Sequence, residues 1–312
     1  MPASERSPHP APTTICAAID SPGRRYGRRA CTFLLAAALG ACATSAPGPE
    51  PTAAAVEDAR PAVPATVPEI RPGLLAGYLG RDLPDSLKLL PAPPAEGSVA
   101  FRNDQAVSRA SQKLRGTARY TLAGADADLA FPHAASVFSC ALGVPVTQQQ
   151  SPYLYQLLRR TLTDAALATY GAKDHYKRIR PFVHYRERTC RPEDEAMLRG
   201  DGSYPSGHTS IGWAWALILT ELAPDRADAL LARGRAFGES RLVCNAHWQS
   251  DILQGRATGA GAVAALHANA DFRSDMAAAA QELSKLRASG TAPGIECQAE
   301  AAALALRIEG VL

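Results

Sequence analysis

The sequence predicts an all-α protein whose main part is a single-domain helical bundle. Hydrophobic residues make up 46% of the 312 positions and aromatic residues only 6%, and Ala and Leu, which favour helices over strands, predominate among the apolar residues. Apolar residues recur at helical spacing, whereas the strict alternation that is typical of half-buried strands is hard to find. The spacing predicts a helix from about Pro152 and others near residues 104–121, 126–142, 206–222, 226–240, 245–268, 270–288 and 296–308.

Residues 1–41 are predicted to be a lipoprotein-type signal peptide. They hold five basic and two acidic residues, which leaves 28 of each sign in the rest of the chain, so the formal charge of +3 belongs to this segment. The largely apolar run Ala30–Leu39 follows, and it is too short to span a bilayer. The sequence Leu39-Gly40-Ala41-Cys42 then resembles the lipobox of bacterial lipoproteins, whose cysteine is lipidated. A plain signal peptide with a chance cysteine is the alternative.

Residues 42–70 are predicted to be a Pro/Ala-rich tether, and residues 71–312 one helical domain. Six prolines among small residues at 43–70 neither nucleate a helix nor bury a core. Leader and tether together predict an exported, periplasmic protein that is lipid-anchored to the outer membrane through Cys42, its one membrane contact. Because the chain after the leader is neutral, its overall field gives no reason to expect nucleic acid as a partner.

The first chemical cluster runs from Lys173 to Pro181 and contains two cations seven residues apart, Lys173 and Arg180. Two helical turns separate them, so the spacing predicts that both lie on one face of a helix, which Pro181 ends. Two converging cations form an anion site, because Arg forks onto two oxygens and Lys adds a point charge. A solvated basic face is the alternative, and for this cluster alone it is the commoner outcome.

The second cluster is Tyr204-Pro205-Ser206-Gly207-His208-Thr209. Its Pro-Ser-Gly turn runs into a predicted helix, whose N-terminal N–H groups and dipole suit an oxyanion. Ser206 adds a hydroxyl, Gly207 permits close backbone approach, and His208 would donate a proton beside the bound anion. The alternative is an N-cap serine next to a surface histidine.

The third cluster is Ser240-Arg241 followed by His247 and Asp251. His247 and Asp251 are four residues apart and would be neighbours on a helical face. The carboxylate would then hold Nδ1–H of the ring and leave Nε2 as a nucleophile. A purely structural His–Asp pair is the alternative.

Together the clusters read K-x6-RP, PSGH and SR-x5-H-x3-D, in order and without a mismatch. This pattern resembles the signature of the type 2 phosphatidic acid phosphatase superfamily, which includes the vanadium haloperoxidases. The segments KDHYKRIRPF, CRPEDEAMLRGDGSYPSGHT and FGESRLVCNAHWQSDILQGR more narrowly resemble the bacterial class A non-specific acid phosphatases. The resemblance covers roughly residues 75–290 and implies a helical bundle of the acid phosphatase/vanadium haloperoxidase type.

The resemblance also implies a function: metal-independent hydrolysis of small phosphate monoesters, with broad specificity and no cofactor, through a phosphohistidine on His247. Asp251 would orient His247, and His208 would protonate the leaving alcohol and then activate water. The phosphate ligands would be Lys173, Arg180, Arg241, Ser206 and the backbone of Gly207. This chemistry needs His208 charged and His247 neutral.

Three other functions stay open at this point: a vanadate-dependent haloperoxidase, a lipid phosphate phosphatase and a non-enzymatic phosphate-binding lipoprotein. The sequence around the motifs, which is close to that of the class A phosphatases, disfavours a haloperoxidase. The lack of a membrane-spanning run disfavours a lipid phosphatase, and the intact His247–Asp251 pair disfavours a non-enzymatic protein. The family resemblance also suggests a homodimer.

Seven cysteines remain to be sorted. Cys16 and Cys31 lie in the predicted signal peptide and would be removed when it is cleaved, and Cys42 would carry lipid. No C-x-x-C or zinc-like spacing is present, so no metal site is expected. The even number that remains in an exported protein favours two disulfides, and three pairings are open. If the clusters converge as the resemblance implies, Cys190 and Cys244 come close, which predicts Cys190–Cys244 and leaves Cys140–Cys297.

Overall fold

The structure is a computed structural model that describes residues 63–309. The predicted signal peptide, Cys42 and the tether up to residue 62 lie outside the described residues. Within residues 63–309 the fold is all-α as predicted, apart from one small two-stranded hairpin. Its strands are β1 (Glu69–Arg71) and β2 (Leu74–Leu75), and short 3₁₀ turns occupy Gln112–Leu114, Pro192–Asp194 and Pro224–Arg226. The helices are α1 (Ser86–Leu89), α2 (Val99–Ser111), α3 (Ala118–Asp126), α4 (His133–Ser136), α5 (Ser139–Leu142), α6 (Pro152–Leu167), α7 (Tyr170–Tyr176), α8 (Pro181–His184), α9 (Glu195–Gly200), α10 (Gly207–Leu222), α11 (Ala227–Val243), α12 (Gln249–Leu266), α13 (Ala270–Ala288) and α14 (Cys297–Ala305).

Helix α10 lies at the centre of the bundle, against α6, α11 and α12. It is apolar on nearly every side, and Trp215 and Ile218 within it are fully buried, which is typical of a core helix. Gly234 of α11 and Gly259 of α12 allow close packing: a Cβ at Gly234 would collide with the side chain of Ala216, and one at Gly259 with the backbone of Ser210. Both neighbours therefore approach the backbone of α10 closely, and the three predicted clusters lie at its N-terminal end.

Two predicted helices are interrupted. The segment predicted at 104–121 divides into α2 and α3, because Gly116 takes a positive φ of 78° between them. The segment predicted at 126–142 divides into the short helices α4 and α5, which follow Pro132, a residue without an N–H to continue a helix. The other predicted helices agree with the structure within a few residues at each end.

The described chain begins to pack before the predicted domain boundary at residue 71. Nε2 of Gln156 donates to the carbonyl of Ala65 at 3.1 Å, and Arg159 pairs with Glu69 at 3.3 Å. The last residues of the predicted tether therefore lie on α6. None of the helices within residues 63–309 is long and apolar enough to cross a membrane.

Two disulfides close the fold, and they join the predicted pairs. Cys190 is bonded to Cys244, with their Cα atoms 4.7 Å apart, and Cys140 to Cys297, with 5.5 Å between Cα atoms. The first ties the chain before α9 to the end of α11. The second ties α14 to α5.

Candidate active site

The chain around the first cluster does not form one helix. Helix α7 ends at Tyr176, and Lys177 takes a left-handed φ of 44°. The chain then runs to an extended Arg180, and Pro181 begins α8 at its first position instead of ending α7. The prediction that Lys173 and Arg180 share one helical face is therefore wrong.

The side chains of Lys173 and Arg180 nevertheless meet, at the carboxylate of Asp201. Nζ of Lys173 lies 3.0 Å from Oδ2 of Asp201, and Nη2 of Arg180 lies 2.7 Å from the same oxygen. Both cations also donate to the carbonyl of Gly202. The sequence prediction missed Asp201, which follows α9 and has no motif of its own.

The second cluster forms the N-terminus of α10, as predicted. Ser206 is the N-cap, and its Oγ accepts from the backbone N–H of Thr209 at 3.3 Å. A Cβ at Gly207 would lie 3.9 Å from Cε of Lys173, so this helix end lies beside the first cluster. Nε2 of His208 donates to the carbonyl of Ala127 at 3.0 Å.

His247 of the third cluster precedes α12 instead of lying on it. Trp248 is the N-cap, and Asp251, in the first turn, accepts from the N–H of Trp248 at 2.8 Å. The same oxygen, Oδ2, lies 3.3 Å from Nδ1 of His247. The predicted His–Asp contact is therefore present, but it arises from a helix cap and not from one helical face. The carbonyl of Asp251 also accepts from the N–H of Ser206 at 3.0 Å, which links the second and third clusters.

The other ring nitrogen of His247 contacts Arg180. Nη1 of Arg180 lies 2.8 Å from Nε2. Because a guanidinium N–H can only donate, Nε2 must carry the lone pair, and the ring hydrogen sits on Nδ1, towards Asp251. This is the tautomer that the sequence predicts, but Nε2 is hydrogen-bonded instead of bare.

Arg241 is buried beside this pair with unused donors. Its side chain is 1% exposed, and Nε and Nη1 have no hydrogen-bond partner among the residues that the structure describes. Burial and the positive charge of Arg180 lower the pKa of Arg241 to about 9. A buried cation with unpaired donors costs stability, and its free N–H groups suit an anionic ligand.

A cavity of about 160 Å³ opens onto His247 and Arg180, and Arg241 lies behind them, outside its lining. Its polar lining consists of Lys173, Arg180, His208, His247, Asp201 and Thr169. Its remaining lining is mostly apolar and includes Leu129, Tyr170, Met197, Leu198 and Ile211. A larger cavity, of about 310 Å³, lies between α11 and α14 and contains none of the residues predicted for catalysis or phosphate binding, and one of about 290 Å³ is lined by Lys173 and Arg180 but by neither His208 nor His247. The candidate site is therefore the cavity of about 160 Å³, because both His208 and His247 line it.

Comparison with known proteins identifies the family. Residues 153–274 match the PAP2 superfamily. A non-specific acid phosphatase of Providencia stuartii is 47% identical over 204 residues, which cover 65% of this chain and 82% of that protein. An acid phosphatase of Zymomonas mobilis is 44% identical over 212 residues, 67% of this chain and 79% of that protein. A non-specific acid phosphatase of Salmonella typhimurium is 41% identical over 195 residues, 62% and 78% of the two chains.

The chain belongs to the PAP2 superfamily. The predicted resemblance to the bacterial non-specific acid phosphatases is thereby confirmed, and the chain is an enzyme of the phosphatase class. The matched residues 153–274 run from α6 into α13 and contain all three clusters. Within residues 63–309 no group of three or more His, Cys, Asp or Glu side chains is placed to hold a metal ion.

The electrostatics of this PAP2 site differ from the prediction at one histidine. Burial and the charges of Arg180, Lys173 and Arg241 hold the pKa of His247 well below its usual range, so this ring is neutral as expected. Burial and the charge of Arg241 likewise hold the pKa of His208 well below its usual range. The protein by itself therefore does not keep His208 charged. The dianionic phosphate of a substrate would have to raise the pKa of His208.

Proposed function

We propose that the chain hydrolyses phosphate monoesters without a metal, through a phosphohistidine on His247. One observation carries the proposal: three buried cations, Lys173, Arg180 and Arg241, surround the neutral imidazole of His247, which lines a cavity and carries its lone pair on Nε2. Phosphoryl transfer is catalysed mainly by positioning and by stabilising charge on the equatorial oxygens. Three cations meet that requirement.

In the first step, Nε2 of His247 attacks phosphorus, the N–P bond forms and the ester P–O bond breaks. Arg241 gives its free N–H groups to the phosphate oxygens, and Lys173 and Arg180 add two more cations. The N–H groups at the start of α10, after Ser206, face the same charge. Asp251 keeps the hydrogen on Nδ1 and stabilises the ring as it becomes positive.

His208 moves the protons. Its Nε2–H is held by the carbonyl of Ala127, which leaves Nδ1 for the transferable proton. The negative charge of the bound phosphate favours the imidazolium form, which then protonates the leaving oxygen. In the second step neutral His208 accepts a proton from water, the water oxygen bonds to phosphorus, and the N–P electron pair returns to Nε2 of His247.

The apolar lining of the cavity favours esters with an apolar or aromatic alcohol. Met197 is 64% exposed, and Tyr170 and Leu129 lie near it in the cavity lining. A lipid phosphate has such an alcohol and is kept as the second candidate substrate. Phosphatidate in mixed micelles, tested beside a simple aryl phosphate, separates the two.

The decisive experiment measures hydrolysis of a chromogenic aryl phosphate in EDTA, together with rapid quenching of a radiolabelled phosphate ester. We expect full activity in EDTA and an acid-labile phosphoenzyme that is absent from His247→Ala. His267→Ala is the matched control, because His267 is a half-exposed histidine that pairs with Glu221 at the C-terminal end of α10, whereas the site lies at the N-terminal end of that helix. Activity in His247→Ala, or activity that EDTA removes, contradicts the proposal.

We also propose that the protein is exported and anchored in the outer membrane through lipid on Cys42. The basic leader, the apolar run and the lipobox-like sequence support this placement. Fractionation of cells that express the full chain tests it. The Cys42→Ser variant should leave the membrane fraction or accumulate uncleaved, whereas Cys16→Ser should behave as the wild type. Wild-type protein that stays soluble would contradict the anchor.

A further inference from the structure

A buried row of charged side chains extends from His247 away from the cavity. Oδ1 of Asp251 accepts from Nη1 of Arg178 at 2.6 Å, and Nη2 of Arg178 donates to Oδ2 of Asp104 at 2.7 Å. Asp251 and Asp104 are fully buried, and the side chain of Arg178 is 9% exposed. The order is therefore Asp104, Arg178, Asp251, His247, with alternating sign up to the ring.

The two oxygens of Asp251 have separate partners. Oδ2 accepts from Ser203 and Trp248 and faces Nδ1 of His247, whereas Oδ1 is held by Arg178 alone among the described residues. Arg178 thus fixes the rotation of the carboxylate that orients the ring. It contacts neither the ring nor the cavity that His247 lines.

Asp104 in turn fixes Arg178. Its Oδ1 accepts from the N–H of Ser250 at 2.8 Å and its Oδ2 from the hydroxyl of Ser250 at 2.6 Å, so the carboxylate is pinned to the first turn of α12. The hydroxyl of Ser250 also lies 2.7 Å from Nη1 of Arg178. Helix α2, which carries Asp104, thereby supports the active site without reaching it.

We propose that Arg178 is a positioning residue of the phosphatase, which clamps Asp251 and offsets its negative charge so that His247 stays a neutral nucleophile in acid, with Asp104 as the opposing charge. The inference rests on the proposed role of His247. An Asp251 without this offset would stabilise the imidazolium form more strongly, and protonated His247 has no lone pair with which to attack.

The sign of each charge around His247 makes the inference testable. Of the titratable and charged groups around the ring, four are basic and two are acidic: Lys173, Arg180, Arg241 and His208, against Asp251, which contacts the ring, and Asp201, which lines the same cavity. Removing the positive charge of Arg178 makes His247 easier to protonate, and removing the negative charge of Asp104 makes it harder. Structural damage would not move the two variants in opposite directions.

The test compares Arg178→Gln and Asp104→Asn by the pH dependence of kcat/KM for one aryl phosphate, so that the titration of the substrate is common to all. Arg160→Gln is the matched control, because Arg160 is a mostly buried arginine that pairs with Asp275 on α13 and touches none of the site residues. Near-UV circular dichroism and thermal unfolding establish that each variant is folded.

We expect the acid limb of Arg178→Gln to move to higher pH by about one unit, with kcat about 10- to 100-fold lower. The acid limb of Asp104→Asn should move to lower pH, and that of Arg160→Gln should not move. Folded variants whose acid limbs match the wild type, or move the same way, overturn the inference while the proposed function stands. If Arg178→Gln does not fold, the direction in Asp104→Asn decides alone. If His247→Ala is active, the proposed function has failed first.

Discussion

The guanidinium of Arg180 lies 2.8 Å from Nε2 of His247, the nitrogen proposed to attack phosphorus. The contact keeps the lone pair on Nε2 and, together with burial, lowers the pKa of His247. It also occupies that lone pair, so Nη1 must transfer its hydrogen bond to a phosphate oxygen before attack. Arg180 therefore holds His247 in its neutral form until a phosphate binds, and the bound phosphate then takes over the hydrogen bond and frees Nε2 to attack.

Arg180→Lys should lower kcat/KM by about 100-fold or more while the protein stays folded. Lysine keeps the positive charge but lacks the branched guanidinium. Through its three nitrogens Arg180 donates to the carbonyls of Leu198 and Ala246 and to the carboxylate of Asp201, and lysine cannot make these contacts together. Steady-state kinetics with an aryl phosphate measures the loss. Arg199→Lys, at a half-exposed arginine on α9, is the control and should retain wild-type kinetics. Equal kinetics in both variants would contradict the role.

Arg241→Met should stabilise the protein and abolish phosphate binding. A buried cation whose Nε and Nη1 lack partners opposes folding at every pH below its pKa of about 9, so an apolar chain of similar length should raise the free energy of unfolding by about 1–3 kcal/mol. Urea unfolding with and without inorganic phosphate measures both effects. Phosphate should raise the midpoint of the wild type only. A destabilised variant that phosphate still stabilises would contradict this account.

Phosphate affinity should fall as the pH rises through about 8. Burial, together with the charge of Arg180, lowers the pKa of Lys173 to about 8, so the ammonium is present below that pH and is lost above it. The inhibition constant of inorganic phosphate, measured from pH 6 to 9, should therefore begin to rise near pH 8. Lys173→Arg should stay level until the pKa of Arg241, about 9, is approached. A wild-type profile without a rise near pH 8 would argue against Lys173 as a ligand.

His208→Ala should lose more activity on alkyl than on aryl phosphates. An alkyl alcohol needs a proton to leave, and a placed general acid contributes about 10²- to 10⁴-fold, whereas an aryl alcohol leaves as an anion. The ratio of kcat for an alkyl and an aryl phosphate, in wild type and variant, isolates the step. Equal losses on both esters would remove His208 from the acid role.

Much of this site could be predicted because its chemistry is local in sequence. The turn before α10 is coded by Pro205, Ser206 and Gly207, and the cap geometry follows from those residue types. The helix α13 is coded by apolar spacing between a capping Asn269 and its last turn, and the prediction matches its bounds. Structure that is formed by residues close together in the chain can therefore be predicted from the sequence.

The rest could not be predicted because it depends on tertiary contacts. Lys177 ends α7 with a left-handed φ although neither Gly nor Pro marks the site, so local rules continue the helix through it. Asp104 and Arg178 lie 74 residues apart, and Arg178 looks like one more cation of a solvated face. Asp201 gains its partners only where the chain after α9 meets Lys173.

The two disulfides should differ in what they support. The bond Cys140–Cys297 closes 157 residues and Cys190–Cys244 closes 54, so loop-closure entropy predicts a loss of stability about 1 kcal/mol larger for Cys140→Ala/Cys297→Ala. Cys244, however, lies between Arg241 and His247 in the chain, and its carbonyl accepts from the N–H of Cys190. The double variant Cys190→Ala/Cys244→Ala should therefore lose more kcat while losing less stability. Urea unfolding measures the stability of both double variants and steady-state kinetics measures their kcat. If the same variant loses more in both measurements, the prediction is contradicted.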